Sequence, residues 1–309
     1  MKRHKICKII FAILAVFLCV AFYELIGICV TYKKQPAVSD ATIKETQNIM
    51  SVAGRENTER AVIIEKNSQA LLERVRLIQN AKDEIILSTF AFKSDESGKL
   101  ILGALHDAAD RGVHVRILVD GMESWIDMEG NPYFYGLSSH ENVEIKLYNK
   151  ANPLKPWKTM GRMHDKYLIA DGKIYILGGR NTYNYFLGDF PGHKNFDRDV
   201  LVVCDEPQKD NSVNQLWNYF ETIWEQEDCR YFHNSKKLAD RQSVKKAVLE
   251  LQEGYQQYFE VNKEKICDTD YADETFETEK ITLLSNPIHT QAKEPVVWYQ
   301  LGELSLIHI

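Results

Sequence analysis

The sequence predicts an α/β fold in which a mixed, partly parallel sheet is flanked by helices and preceded by one N-terminal transmembrane helix. Between residues 71 and 119, apolar residues at helical spacing alternate with short runs of β-branched and aromatic residues. This alternation is typical of βαβ units, whose strands are parallel. The chain contains 44% hydrophobic and 27% charged residues, which excludes a disordered chain or a many-span transporter.

The predicted elements follow one another with short connections. Helices are assigned where apolar residues recur three or four apart, and strands where Val, Ile, Leu and Tyr cluster. In chain order they are a helix at 71–78, a strand at 85–92, a helix at 98–111, strands at 113–119, 143–148, 166–170, 174–177 and 200–204, a helix at 213–224 and a charged helix at about 236–260. The strands at 85–92 and 113–119 are joined by a helix, so we expect them to be parallel.

The apolar run from Ile9 to Val30 contains one charge, Glu24, and is long enough to span a bilayer as a helix. The basic residues Lys2, Arg3, Lys5 and Lys8 precede it, and Lys33 and Lys34 follow it. The positive-inside rule therefore predicts a single-pass membrane protein with a cytoplasmic N-terminus and an extracytoplasmic body. The alternative is a cleaved signal peptide, against which the length of the run argues.

The 309 residues predict about two domains. A polar stretch after the anchor indicates a stalk, and an acidic stretch poor in apolar residues indicates a linker. The expected organisation is a cytoplasmic tip and anchor at 1–34, a stalk at 35–67 with a weak helical pattern around Val62, a folded domain at 68–262, an acidic linker at 263–280 and a further segment at 281–309.

Composition and cysteine spacing argue against two kinds of site. The cysteines lack the C-x-x-C spacing of zinc sites, and the spacing of Cys204, Cys229 and Cys267 selects no disulfide pair. A formal net charge of -6 argues against a surface that binds polyanions without selectivity. We therefore expect no metal and no cofactor, and nucleic acid is not the expected partner.

The segment from His164 to Asn181 carries residues that suit chemistry on phosphate. It fits the pattern H-x-K-x4-D-x6-G-G-x-N, with His164, Lys166, Asp171, Gly178, Gly179 and Asn181 at the fixed positions. Residues two apart on a strand share a face, so the imidazole and the ammonium are expected side by side. The imidazole can then attack phosphorus while the ammonium neutralises the non-bridging oxygens.

Other residues are expected to complete this site. Gly178 and Gly179 allow a close approach of the backbone, and Asn181 can donate an amide hydrogen bond to the phosphate oxygens. A nucleophilic imidazole also needs an acceptor for its second nitrogen. Asp197 is the candidate and Asp199 is the alternative, because both belong to one short segment.

The motif resembles the signature of the phospholipase D superfamily, most closely its cardiolipin synthase and bacterial phospholipase D-like branch. The segments Ile85 to Gly121 and Asp197 to Val200 also resemble that family, so the resemblance covers about residues 68–304. It implies a phospholipase D-like sandwich fold. It also implies a phosphodiesterase or phosphatidyltransferase, and therefore a hydrolase or transferase of phospholipid metabolism.

The resemblance further implies roles for individual residues. The family histidine becomes a covalent phosphohistidine, a second histidine protonates the leaving alcohol, and water or an alcohol accepts the phosphoryl group. On this basis His164 is the nucleophile, Lys166 and Asn181 bind phosphate, and Asp171 is largely structural.

The chain departs from the family pattern in having one such motif. Family members use two, in tandem or by pairing two chains, and each other histidine of this sequence lacks a lysine two residues on. Residues 68–262 are then the first repeat, and residues 281–309 resemble the start of a second, truncated one. We expect a fragment whose site is completed by further chain or by a second copy.

Three functions remain open at this point. The motif and the apolar run favour a membrane-anchored phospholipase D-like enzyme that acts on phospholipid headgroups. A nuclease of the same superfamily is the first alternative, for which Lys146, Lys150, Lys155 and Lys158 supply a modest basic cluster. The second alternative is a non-catalytic binding module, against which the intact His164, Lys166 and Asn181 argue.

Overall fold

The computed structural model of the protein describes residues 2–33, 39–41, 43–44, 59–150, 152–158, 161–206, 211–279 and 281–285. Its strands are β1 (Glu59–Ile64), β2 (Glu84–Thr89), β3 (His114–Asp120), β4 (Val143–Tyr148), β5 (Tyr167–Ala170), β6 (Ile174–Gly178), β7 (Asp199–Cys204), β8 (Cys229–Tyr231) and β9 (Phe276–Glu277). Its helices are α1 (Lys2–Lys33), α2 (Asn67–Asn80), α3 (Glu96–Asp110), α4 (Gly121–Asp127), α5 (Pro132–Ser138), α6 (Ser212–Trp224), α7 (Lys236–Ala239) and α8 (Gln242–Cys267).

The N-terminal helix α1 contains the segment Lys5–Val30, which is long and apolar enough to cross a membrane. Near the N-terminus, apolar helices occur both in anchors and in signal sequences, so α1 alone does not distinguish an anchor from a leader. Helix α1 belongs to one compact unit of the chain, whose other described residues are 39–41, 43–44, 152–158, 161–162 and 284–285. The described residues from 59 to 150 and between 163 and 283 form the other.

The strands of the second unit form one mixed sheet, which confirms the predicted fold class. The strand order is β8-β4-β3-β2-β5-β6-β7-β1-β9. β2, β3 and β4 are parallel neighbours, and every other adjacent pair is antiparallel. The parallel part arises because α3 and the α4–α5 segment carry the chain back across the sheet between successive strands.

Helices cover both faces of the sheet. On β3, Val115 and Ile117 belong to the core that α2, α3 and α8 build on one face. Arg116 points the other way, towards α6, where its guanidinium lies 2.5 Å from a carboxylate oxygen of Glu221. This alternation follows from the two-residue period of a strand.

The predicted stalk is wrong at its C-terminal end. Residues 59–64 form β1, which pairs with β7 over its whole length, from Glu59 opposite Cys204 to Ile64 opposite Asp199. The weak helical pattern around Val62 gave no sign of this, because the partner strand lies far away in the sequence. The rest of the predicted stalk lies largely outside the described residues.

The predicted acidic linker is also wrong over the part that the structure describes. Helix α8 continues to Cys267, and β9 pairs with β1. The guanidinium of Arg76 donates to both carboxylate oxygens of Glu274 at 2.9 Å and to the backbone oxygen of Asp268 at 2.6 Å. Two of the acidic residues that suggested a solvated linker, Asp268 and Glu274, thus lie beside a buried arginine. Of the predicted start of a second repeat, only residues 281–285 are described.

Candidate active site

Apart from Asp171, the motif residues lie at one edge of the sheet, where its central strands begin or end. Ser88 at the end of β2 is opposite Tyr167 at the start of β5. Gly178 at the end of β6 is opposite Asp199 at the start of β7. Because these neighbours are antiparallel, the carboxyl ends of β2 and β6 meet the amino ends of β5 and β7.

His164 and Lys166 lie just before β5 and contact the same aromatic ring. The ring centroids of His164 and Phe90 are 4.6 Å apart at an interplanar angle of 60°. The Nζ of Lys166 lies 5.4 Å from the Phe90 centroid and donates a 2.6 Å hydrogen bond to the backbone oxygen of His164. His164 is exposed, whereas Lys166 is 6% exposed. The imidazole and the ammonium therefore lie on one side of the chain, as their spacing suggests.

The residue between them faces the opposite way. The carboxylate of Asp165 accepts a 2.8 Å hydrogen bond from the hydroxyl of Tyr219 on α6. Burial raises the pKa of Asp165, and the bond from Tyr219 opposes that rise. Asp165 thereby ties the motif to the helix on the far face of the sheet.

Burial of the Lys166 ammonium changes its electrostatics. Desolvation lowers the pKa of Lys166 to about 8, and the negative charges of Asp165 and Asp197 oppose this shift. The group is therefore charged at neutral pH and becomes neutral above about pH 8. A cation of this kind can bind an anion strongly because little water screens it.

Asn181 is fixed at the same edge by the segment that follows β2. Its Oδ1 accepts a 3.1 Å hydrogen bond from the backbone nitrogen of Ala91, and the residue is 7% exposed. Because the oxygen is held by the backbone, the Nδ2 group of the carboxamide keeps one orientation. Asn181 is thus joined to Phe90 through one peptide unit.

The two glycines make room for aspartates. A methyl group built on Gly178 would overlap Asp199, and one built on Gly179 would overlap the carboxylate of Asp197. The sequence-based expectation was that these glycines let the backbone approach a phosphate. In the structure, aspartate side chains occupy the space that the missing Cβ atoms leave.

The two aspartates that the sequence left as alternatives differ in their surroundings. Asp199 is fully buried, with its Oδ2 2.9 Å from Nη1 of Arg74 and 3.4 Å from Nη1 of Arg180. Asp197 is exposed and raises the pKa of Lys166 by its charge. Its Oδ1 accepts from the backbone nitrogen of Arg198 at 2.8 Å. Of the two aspartates, Asp197 is therefore the one whose charge acts on Lys166.

Asp171 lies away from the other motif residues. It follows β5 at the opposite edge of the sheet and accepts hydrogen bonds from the backbone nitrogens of Lys82, Asp83 and Glu84 at 2.9, 2.8 and 3.0 Å. Its carboxylate holds the turn that leads into β2. It does not join His164 and Lys166.

Two residues that the sequence did not single out support the site. Arg180 is buried and donates to Oδ1 of Asn67 at 3.1 Å and to backbone oxygens of Ile64 and Glu65 at 3.1 and 2.7 Å. It thus fixes the Gly-Gly-x-Asn segment to the junction of β1 and α2. Its position inside the motif was the available signal.

Asp120 is the second such residue. Its Oδ1 accepts from the backbone nitrogens of Met122 and Glu123 at the start of α4, at 3.0 and 3.2 Å. Its Oδ2 accepts from the backbone nitrogen of Met163 at 3.1 Å. This aspartate therefore anchors the residue directly before His164.

No group of three or more His, Cys, Asp or Glu side chains suited to a metal ion occurs in the part of the chain that the structure describes. Of the lysines proposed to form a basic cluster, Lys146 is engaged elsewhere. Its Nζ donates to the backbone oxygen of Trp224 at 3.0 Å and lies over the Trp224 and Tyr231 rings.

Comparison with known proteins identifies similar sequences. The model of the family described as Cardiolipin synthase, PLD-like domain matches residues 75–224. An uncharacterized protein of Helicobacter pylori (strain ATCC 700392 / 26695) is 33% identical over 181 residues, covering 54% of this chain and 35% of that protein. Cardiolipin synthase C of Escherichia coli (strain K12) is 29% identical over 154 residues, covering 45% of this chain and 31% of that protein.

This chain spans about a third of the length of these curated relatives. Among solved structures, NucT from Helicobacter pylori has a TM-score of 0.44 and 17% sequence identity, covering 56% of this chain and 99% of that chain.

Proposed function

The chain belongs to the phospholipase D superfamily, and from this premise we propose that it is a membrane-anchored phosphodiesterase or phosphatidyltransferase acting on phospholipid headgroups. The observation that carries the proposal is the meeting of His164, Lys166 and Asn181 around the Phe90–Ala91 segment. A nucleophile, a cation and an amide donor are thus grouped where one phosphate could contact all three.

The proposed first step is attack by an imidazole nitrogen of His164 on phosphorus. A P–N bond forms, the P–O bond to the leaving alcohol breaks, and a second group must give that alcohol a proton. Lys166 and Asn181 bind the non-bridging oxygens, whose charge must be stabilised in the transition state. The carboxylate of Asp197 accepts a hydrogen bond from the N–H of the imidazole and stabilises the phosphohistidine cation.

The proton donor is proposed to be a second histidine. It would come from a second H-x-K motif, in further chain or in a second copy of this one. In the second step, water or an alcohol attacks phosphorus and gives its proton to the second histidine, the P–N bond breaks and His164 is regenerated. This chain by itself would then turn over slowly unless two copies pair their sites.

The apolar helix α1 and the match to cardiolipin synthases support a lipid substrate. A nuclease is the alternative, and the engagement of Lys146 with Trp224 weakens the basic cluster that suggested it. The net charge of -6 also opposes a polyanionic substrate.

An assay in EDTA tests the proposed function. We expect the chain, with its second motif supplied or as a paired copy, to release glycerol from phosphatidylglycerol vesicles, because the proposed site needs no metal. A single-stranded oligonucleotide should stay intact in the same buffer. Cleavage of the oligonucleotide in place of the lipid, or loss of lipid cleavage on chelation, would contradict the proposal.

The orientation of the anchor is a separate prediction. Because more basic residues precede the apolar run than follow it, a reporter fused after residue 40 should be exported. Alkaline phosphatase is active only outside the cytoplasm, and green fluorescent protein exported in an unfolded state is dark. An inactive phosphatase fusion together with a bright fluorescent fusion would show the opposite orientation.

A further inference from the structure

The ring of Phe90 contacts two groups of the site without belonging to the motif. Its centroid lies 4.6 Å from the His164 ring centroid and 5.4 Å from the Nζ of Lys166. We propose that Phe90 is a positioning residue, whose ring orients the imidazole of His164 and whose π face holds the buried ammonium of Lys166. The effect on catalysis rests on the proposed function, whereas the contact with Lys166 can be tested without it.

The backbone on both sides of Phe90 is held in place. The Oγ1 of Thr89 accepts from the Oγ1 of Thr182 at 3.2 Å. Ala91 donates its N–H to Oδ1 of Asn181 at 3.1 Å and accepts from the backbone nitrogen of Thr182 at 3.1 Å. The ring is therefore presented by a segment that the Gly-Gly-x-Asn half of the motif fixes. Phe90 links that half to the His-x-Lys half.

An aromatic ring suits this position because the Lys166 ammonium has lost most of its water. The charged groups that act on it are the carboxylates of Asp165 and Asp197, and its near hydrogen-bond acceptor is the backbone oxygen of His164. The negative face of a ring attracts such a cation, whereas an aliphatic side chain of similar size does not. The ring edge and face also limit the rotation of the neighbouring imidazole.

Titration of Lys166 in the full chain provides the first test. The chain is labelled with ¹³Cε-lysine and solubilised in detergent micelles, and the Lys166 signal is assigned by its loss in Lys166→Arg. We expect a midpoint near pH 8 in wild type and in Phe90→Tyr, which keeps the ring. In Phe90→Leu the midpoint should fall by about half to one pH unit.

A second variant separates the π face from packing. Pentafluorophenylalanine at position 90 keeps the shape of the ring but reverses the charge of its face, so it should lower the midpoint as leucine does. The proposal would be overturned if wild type, Phe90→Leu and the fluorinated chain all titrated Lys166 at the same midpoint. If Phe90→Leu is destabilised, the comparison of wild type with the fluorinated chain decides in the same way.

The effect on the reaction is read from the first step alone. With a nitrophenyl phosphodiester, the burst of nitrophenol should be about 5- to 20-fold slower in Phe90→Leu and close to wild type in Phe90→Tyr. Absence of a burst in wild type would count against the proposed function, while the Lys166 titration would still decide the role of Phe90. An unchanged burst in Phe90→Leu beside a normal wild-type burst would contradict the positioning role.

Discussion

His164→Ala should abolish the release of nitrophenol from a nitrophenyl phosphodiester, with a fall of about 10⁴-fold or more in the rate of the first step. A nitrophenolate leaves without needing a proton, so this step requires the nucleophile but no second histidine. Wild-type chain should release about one equivalent of nitrophenol per site in a burst, in the presence of EDTA. Mass spectrometry at neutral or alkaline pH should find the adduct on the peptide that contains His164.

The control is His114→Gln, at the opposite edge of the sheet. His114 begins β3, and its imidazole lies 3.2 Å from Glu144. We expect its burst to equal that of wild type. A burst that survives in His164→Ala, or an adduct on another residue, would remove His164 from the proposed mechanism. Fast, continued turnover by isolated single copies would show that no second histidine is needed.

Asp199→Asn should lower the free energy of unfolding by about 3–5 kcal/mol. The carboxylate of Asp199 forms ion pairs with both Arg74 and Arg180, and the side chains of Asp199, Arg74 and Arg180 are 0%, 5% and 0% exposed. Because asparagine has nearly the same shape as aspartate, the decrease in the free energy of unfolding reports the loss of the negative charge opposite two buried guanidinium groups. Urea unfolding of the full chain in detergent measures this difference.

Asp197→Asn is the matched variant two residues away. Because Asp197 is exposed, its replacement should change the free energy of unfolding by less than about 0.5 kcal/mol. Its proposed role beside His164 predicts instead a burst about a hundredfold slower. The opposite pattern, a stable but inactive Asp199→Asn and an active Asp197→Asn, would make Asp199 the residue that orients His164.

The βαβ unit and the central strands could be predicted from local pattern. The runs at 85–92 and 113–119 overlap β2 and β3, and the apolar stripe from Val213 to Trp224 becomes α6. These elements have apolar residues at the period of the structure they form, so the signal lies within each segment. β1 and β9 had no such signal, since each is extended by pairing with a distant strand.

The electrostatics of the body could not be predicted in the same way. The acidic stretch after α8 suggested a solvated linker by composition. Its contacts with Arg76 on α2 depend on two segments that only the fold brings together. The same reason explains why Asp197 and Asp199 could not be distinguished: their difference is the presence of Arg74 and Arg180 beside Asp199 alone.

The sequence by itself determined the fold class, the apolar N-terminal segment and the set of residue types suited to phosphate, because side-chain chemistry and short-range spacing are local properties. The tertiary structure decided what surrounds those residues. It filled the space above Gly178 and Gly179 with aspartates, took Asp171 to the far edge of the sheet, and placed the ring of Phe90 beside both His164 and Lys166. Burial and charge at a site depend on segments that are distant in the chain, and a pattern within one segment carries no record of them.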